Sequence, residues 1–143
     1  MPFEWVEDAV TSDVTFRAWG SSLDELFAAA VDATTAAMVA DLGALRPRQR
    51  RTVEVEADAL DLLLLRLLDE VVFLKDSEGL LLRAEQVRVD AAGPPHRASV
   101  TLAGEPIDRT RHELVADVKA ATLCGLRVER RGEGWEARVT LDV

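Results

Sequence analysis

The chain has 143 residues, one cysteine and a formal charge of −9. That length suits one domain, large enough to bury ~70% of its unfolded surface. A single cysteine excludes an intramolecular disulfide or a cysteine-based zinc cluster and suits a reducing compartment, and the acidic balance argues against general nucleic-acid binding, which needs a surplus of Lys and Arg.

The opening stretch MPFEWVEDAVTSD is acidic and lacks the basic and apolar regions of a signal peptide. DVTFRAWG then alternates, with Val14, Phe16 and Ala18 on one face and Asp13, Thr15, Arg17 and Trp19 on the other, which predicts a strand. SSLDELFAAAVDATTAAMVADLG predicts a helix opened by a Ser22/Glu25 capping box and closed by Gly43. Its alanines suit close packing on a sheet or on a second helix. RPRQRRTVEVEA predicts a turn and a strand with Val53 and Val55 inward. Arg46, Arg48, Arg50 and Arg51 could form a contact surface, although charged edges also block strand addition.

DALDLLLLRLLDEVVFLKDSEG predicts a second helix from Asp58 to Gly79, apolar over much more than one stripe and so sandwiched in the core. Arg66, Asp69 and Glu70 interrupt it, leaving far less than the ~20 apolar residues of a membrane span. GLLLRAEQVRVDAAG, HRASVTLAGE, ELVADVKAATLCGLRVERRG and WEARVTLDV predict four strands separated by turn signals. The expected fold is α+β, a single domain over residues 1–143 with two helices packed on a mostly antiparallel sheet.

Parity in LVADVKAATLCGLRV puts Cys124 on the apolar side, where it reads as a small buried hydrophobe, and turns Asp117 and Lys119 the other way. Of the two histidines, His96 borders a proline turn and reads as solvated, whereas His112 reads as orienting a loop. In WEARVTLDV the even positions are polar, so Asp142 lies on the polar face beside the α-carboxylate of Val143, and a strand pattern this close to the end predicts a terminus tied into a sheet. Polar faces are rich in such residues. Should Asp13, Lys119 and Asp142 converge, two aspartates and a terminal carboxylate would form a hard oxygen site for calcium, magnesium or manganese, with the lysine offsetting their repulsion or meeting a phosphate.

Taken in order, DVTFRAWG with SSLDELFAAA, LLRLLDEVVFLKDSEGLL, GEPIDRTRHEL, ADVKAATL and WEARVTLDV resemble the archease family over almost the entire chain. The resemblance implies that Asp13, Lys119 and Asp142 are the functional, metal-associated residues, with Val143 completing the cation site. Departures are visible: VTSDV stands where the family reads H-T-A-D-V, so Val10 replaces its histidine, and Thr122, Leu123 and Cys124 stand where it reads T-Y-H or T-Y-S. The implied role is not turnover of its own. It is cytoplasmic activation of the GTP-dependent RNA ligase that seals tRNA halves and repairs RNA, promoting guanylylation of the ligase and repeated cycles, with RNA met only through the ligase and no membrane involved. Two other classes fit the same three residues: a small metal-dependent phosphohydrolase, and a chaperone-like adaptor of RNA-modifying enzymes.

Overall fold

The computed structural model describes residues 2–7 and 13–143. Val10, the departure in the VTSDV stretch, lies outside them. Seven strands and two helices follow in the order β1 (Phe3–Val6), β2 (Asp13–Gly20), α1 (Leu23–Ala36), β3 (Gln49–Ala57), α2 (Leu60–Glu78), β4 (Leu80–Asp90), β5 (His96–Pro106), β6 (Ala120–Arg131) and β7 (Gly134–Asp142), with a short 3-10 turn at Leu42–Ala44. The strands divide into a four-stranded sheet, β1-β2-β7-β6, and a three-stranded sheet, β3-β5-β4. Every pairing between these strands is antiparallel. The α+β architecture with two packed helices is therefore the one the sequence predicts, and β1 is an addition, too short for its alternation to register.

Alternation explains the four-stranded sheet. Phe16, Ala18, Ala137, Val139 and Leu141 are buried on its inner face. Both helices touch strands of both sheets. For that reason α2 is apolar on several sides: Leu63, Leu64, Leu67, Leu68, Val71 and Val72 are all shielded from water. Small residues let α1 approach its neighbours, with Ala29, Ala30 and Ala33 buried, while Thr35 Oγ1 donates to the Leu82 carbonyl at 2.5 Å. Where β5 and β4 pair, Gly104 leaves no room for a side chain: a Cβ there would lie 1.8 Å from the Leu81 carbonyl oxygen.

Four expectations need correction. Helix α1 ends at Ala36, well before Gly43, because the chain beyond it pairs elsewhere: Val115 N–H donates to Met38 O at 2.8 Å, and Ala40 N–H to Glu113 O at 2.9 Å. At the start of α2 the cap position is Ala59, one residue after Asp58, without a side-chain bond, although Gly79 does close the helix at φ 66°. The strand expected across 113–132 begins only at Ala120. Cys124 is exposed, not buried. Between Thr122 and Arg127 the register of β6 against β7 shifts, and Gly125 sits at φ 65°. The parity extrapolated from Val118 fails already at the start of β6: Ala121 is buried opposite Leu141, so Ala120, Thr122 and Cys124 take the outer face, and the bulge then shifts the alternation again so that Val128 lies opposite the buried Ala137.

Candidate functional site

The four-stranded sheet gathers the expected residues at one end. Asp13 opens β2 and Asp142 closes β7, and antiparallel register sets them directly opposite each other. Opposed side chains share a face, with Cβ atoms ~4.5–5.5 Å apart. On the other side of β7, Asp142 pairs with Ala120, and the N–H of Lys119 donates to the Asp142 carbonyl at 2.8 Å. Central placement of β7 between β2 and β6 is what joins these three segments. The terminus is paired, as the alternation of WEARVTLDV predicts, and the half-buried Val143 packs against the core.

Asp13, Lys119 and Asp142 are all exposed. One step along the same face, Thr15 and Thr140 share a hydroxyl hydrogen bond of 2.9 Å, and Thr122 Oγ1 donates to the Thr140 carbonyl at 3.0 Å. Like charges directly opposite in a sheet are destabilising. Among the described residues no hydrogen bond or ion pair is seen at the side chains of Asp13 and Asp142. Their oxygens are hard donors of the kind calcium, magnesium and manganese prefer. No group of three or more His, Cys, Asp or Glu side chains converges among the described residues. A cation held here would thus rest on two side-chain carboxylates, with the carboxylate of Val143 and water completing its coordination.

Helix α2 fixes the segment that carries Lys119. Lys75, a buried side chain, donates from Nζ to Asp117 Oδ1 at 2.5 Å and to the Val118 carbonyl at 2.7 Å, and pairs with Asp76 at 2.7 Å. Burial works to lower the pKa of this ammonium, but hydrogen bonds and charge from Asp117 and Asp76 outweigh it and raise the pKa above the ordinary lysine value. The Asp117 carboxyl is correspondingly lowered, first by the Lys75 hydrogen bond and then by the Lys75 and Lys119 charges. Six residues earlier in the same helix, Asp69 Oδ1 accepts the Ala121 N–H at 3.0 Å. Asp69 is legible in the sequence only as an interruption of an apolar run and Lys75 is not singled out at all; nothing local marks them as holding residues 117–121.

A second charged cluster lies in the GEPIDRTRHEL turn. Glu105, with a side chain only 2% exposed, accepts from Arg111 at 2.7 and 3.2 Å and from the Arg46 N–H at 2.9 Å. His112 Nδ1 accepts the Asp108 N–H at 2.9 Å, which leaves Nε2 to donate to Glu105 at 3.2 Å. Burial would raise the Glu105 pKa, but these hydrogen bonds and the Arg111 charge pull it down to about 2. His112 does orient its loop. His96 is half-buried at the start of β5, its Nδ1 shielded, instead of solvated in the turn. Of the four arginines, Arg50 and Arg51 lie in the edge strand β3, where Arg50 pairs with Glu85 and Arg51 with Glu78, both at 2.7 Å.

The family described as the Archease protein family (MTH1598/TM1083) matches residues 3–143. The chain belongs to the archease family. It is 34% identical over 140 residues to the protein archease of Thermococcus gammatolerans, covering 97% of this chain and 98% of the relative. It is 30% identical over 143 residues to that of Methanopyrus kandleri, covering both chains completely. The solution structure of Methanobacterium thermoautotrophicum protein 1598 superposes with a TM-score of 0.84 at 31% identity, covering 99% of each chain. The crystal structure of a Thermotoga maritima archease, described as a possible chaperone, shares the fold with a TM-score of 0.64 at 17% identity over 96% of this chain and 98% of that one. No helix among the described residues is long and apolar enough to cross a membrane.

Proposed function

We propose that the protein is an accessory factor, not an enzyme in its own right, that activates a GTP-dependent RNA ligase in the cytoplasm during tRNA splicing and RNA repair. The observation that carries this reading is the facing pair Asp13 and Asp142 with Lys119 bonded beside them, in a chain of the archease family. In this role Asp13, Asp142 and Val143 hold a divalent cation, calcium, magnesium or manganese, whose positive charge offsets the opposed carboxylates and attracts phosphate oxygens. Lys119, fixed through its N–H to Asp142 and through Lys75 and Asp69 on either side, presents its ammonium where a phosphate of the guanylylation reaction can be met. RNA is then contacted by the ligase, consistent with a charge of −9 on this chain.

Multiple-turnover ligation with the cognate ligase tests the proposal. Wild type is expected to stimulate turnover, and Asp13→Asn and Asp142→Ala, folded by circular dichroism, are expected to lose most of that stimulation. Calcium or manganese should raise the melting temperature of wild type by linkage and leave Asp13→Asn unmoved. Normal stimulation by Asp142→Ala would remove this residue from the function. Equal thermal shifts in wild type and Asp13→Asn would place cation binding elsewhere.

A further inference from the structure

The GEPIDRTRHEL turn and the arginine-rich stretch before β3 meet around a cavity of about 640 Å³, a volume in the range of small-molecule sites. Its walls are fixed from several sides. Glu105 and Arg111 neutralise each other there through two hydrogen bonds, the Ile107 N–H donates to the Gly79 carbonyl at 2.8 Å, and the Arg48 N–H donates to the Gly104 carbonyl at 2.9 Å. Asp108 Oδ1 accepts the Thr110 N–H and hydroxyl at 2.9 and 2.6 Å. Two guanidinium groups are left over. Arg48, with a side chain 59% exposed, comes no closer than 4.0 Å to Glu105, and the exposed Arg109 makes no hydrogen bond or ion pair among the described residues. Elsewhere Arg50, Arg51, Arg83, Arg97 and Arg131 each pair with a carboxylate. Arg109 also borders a groove that runs to Asp117, but that carboxylate is already bonded to Lys75.

We propose that this cavity binds the phosphate group of a small molecule, held by the guanidinium groups of Arg48 and Arg109, with Pro106 and Ile107 as the apolar wall for the rest of the ligand. A guanidinium is a planar fork of donors that matches phosphate oxygens, and charge-assisted hydrogen bonds of this kind are the strong ones. Charge and shape select the occupant. With Glu105 and Arg111 cancelling, Arg48 and Arg109 outnumber Asp108, so the cavity is locally positive in a chain whose formal charge is −9. An extended polynucleotide needs a basic groove that tracks its backbone, which the acidic remainder of the surface opposes. A single phosphate needs only the two arginines. Asp108, on the same wall, supplies an acceptor for a hydroxyl or amino group of the ligand. Asp13, Lys119 and Asp142 take no part in lining the cavity, so this site is independent of the ligase-activator reading.

Isothermal titration calorimetry of the full chain at low ionic strength tests the site, with inorganic phosphate, adenosine 5′-monophosphate and adenosine as probes. The variants are Arg48→Ala, Arg109→Ala and, as a control, Arg88→Ala, which removes the same charge from an exposed position of β4 on a different cavity. Arg109 has no partner to lose, so its variant keeps the bonds of the turn, and circular dichroism checks the fold of all three. Wild type is expected to bind phosphate and the monophosphate saturably and to leave adenosine unbound. Arg48→Ala and Arg109→Ala should each weaken binding about tenfold or more, and Arg88→Ala should match wild type. Tighter binding of the monophosphate than of phosphate would identify a phosphorylated organic molecule as the occupant, and equal affinities a free phosphate; the site stands in both cases. Wild type that binds neither anion, unchanged affinity in both cavity variants, adenosine bound as tightly as its monophosphate, or an equal loss in Arg88→Ala would overturn it. A single-stranded oligonucleotide that binds more tightly than the monophosphate and depends on the same two arginines would overturn the small-molecule occupant.

Discussion

Glu105 and Asp142 are carboxylates near the C-terminal ends of long strands, and the fold treats them in opposite ways. Glu105 is withdrawn from water and saturated: Arg111, the Arg46 N–H and His112 all donate to its oxygens. Asp142 stays exposed, facing a second aspartate across the ladder. A buried charge is tolerated only when its hydrogen-bonding capacity is filled, and once filled it has nothing left to offer a ligand. Among the described residues no side-chain partner offsets the exposed pair, whose repulsion a cation or a basic partner can relieve. Saturation thus marks the first cluster as part of the scaffold, and the second is the one we propose as the working end.

Breaking the saturated cluster should have the larger effect on stability. Glu105→Ala leaves Arg111 and His112 without their acceptor and is expected to destabilise by about 3–5 kcal/mol in urea denaturation. Asp142→Ala in the same assay should change stability by less than about 1 kcal/mol. Equal losses would erase the distinction between scaffold and site.

Acid sharpens the same contrast. A carboxyl held at about 2 in the folded chain against an ordinary 4.5 contributes about 3 kcal/mol, fully present above pH 4.5 and lost as pH falls from there toward 2. Glu105→Gln should therefore flatten the acid limb of a stability–pH curve relative to wild type. Asp117 and Asp108 are also lowered by their partners and act in the same direction, so the comparison with Glu105→Gln isolates the contribution of Glu105. Parallel curves for the two proteins would show that its ionisation does not hold the turn.

The smallest effect has the opposite sign. Asp13→Asn removes one of two opposed like charges and should raise stability in the absence of divalent cations by about 0.2–1 kcal/mol at low salt. A gain in stability with a loss of function is the expected signature of a residue kept for its chemistry. A loss of stability from Asp13→Asn would mean that its charge is already satisfied within the fold.

Local patterns in the sequence determined a good deal. Alternation in DVTFRAWG and WEARVTLDV assigned Asp13 and Asp142 to polar faces, because the side-chain period of a strand depends only on neighbouring residues. Ser22 accepts the Glu25 N–H as its capping motif requires, and the breadth of the apolar surface on α2 announced a helix enclosed on several sides. Only the tertiary structure decided which strands lie side by side. Sheet order and register join residues far apart in the chain, and no local period encodes that Asp13 meets Asp142 or that Lys119 bonds to it. The outward turn of Cys124 follows from the start of β6 at Ala120, where Ala121 and not Ala120 takes the inner face, and the early end of α1 follows from pairing of residues 38–40 with 113–115. Burial of Glu105 was hidden for the same reason: the donors that make it tolerable come from Arg46, Arg111 and His112, brought together when the turn packs against the start of β3. Faces and element types are local properties of the backbone, whereas neighbours across a sheet are set by the packing of the whole core.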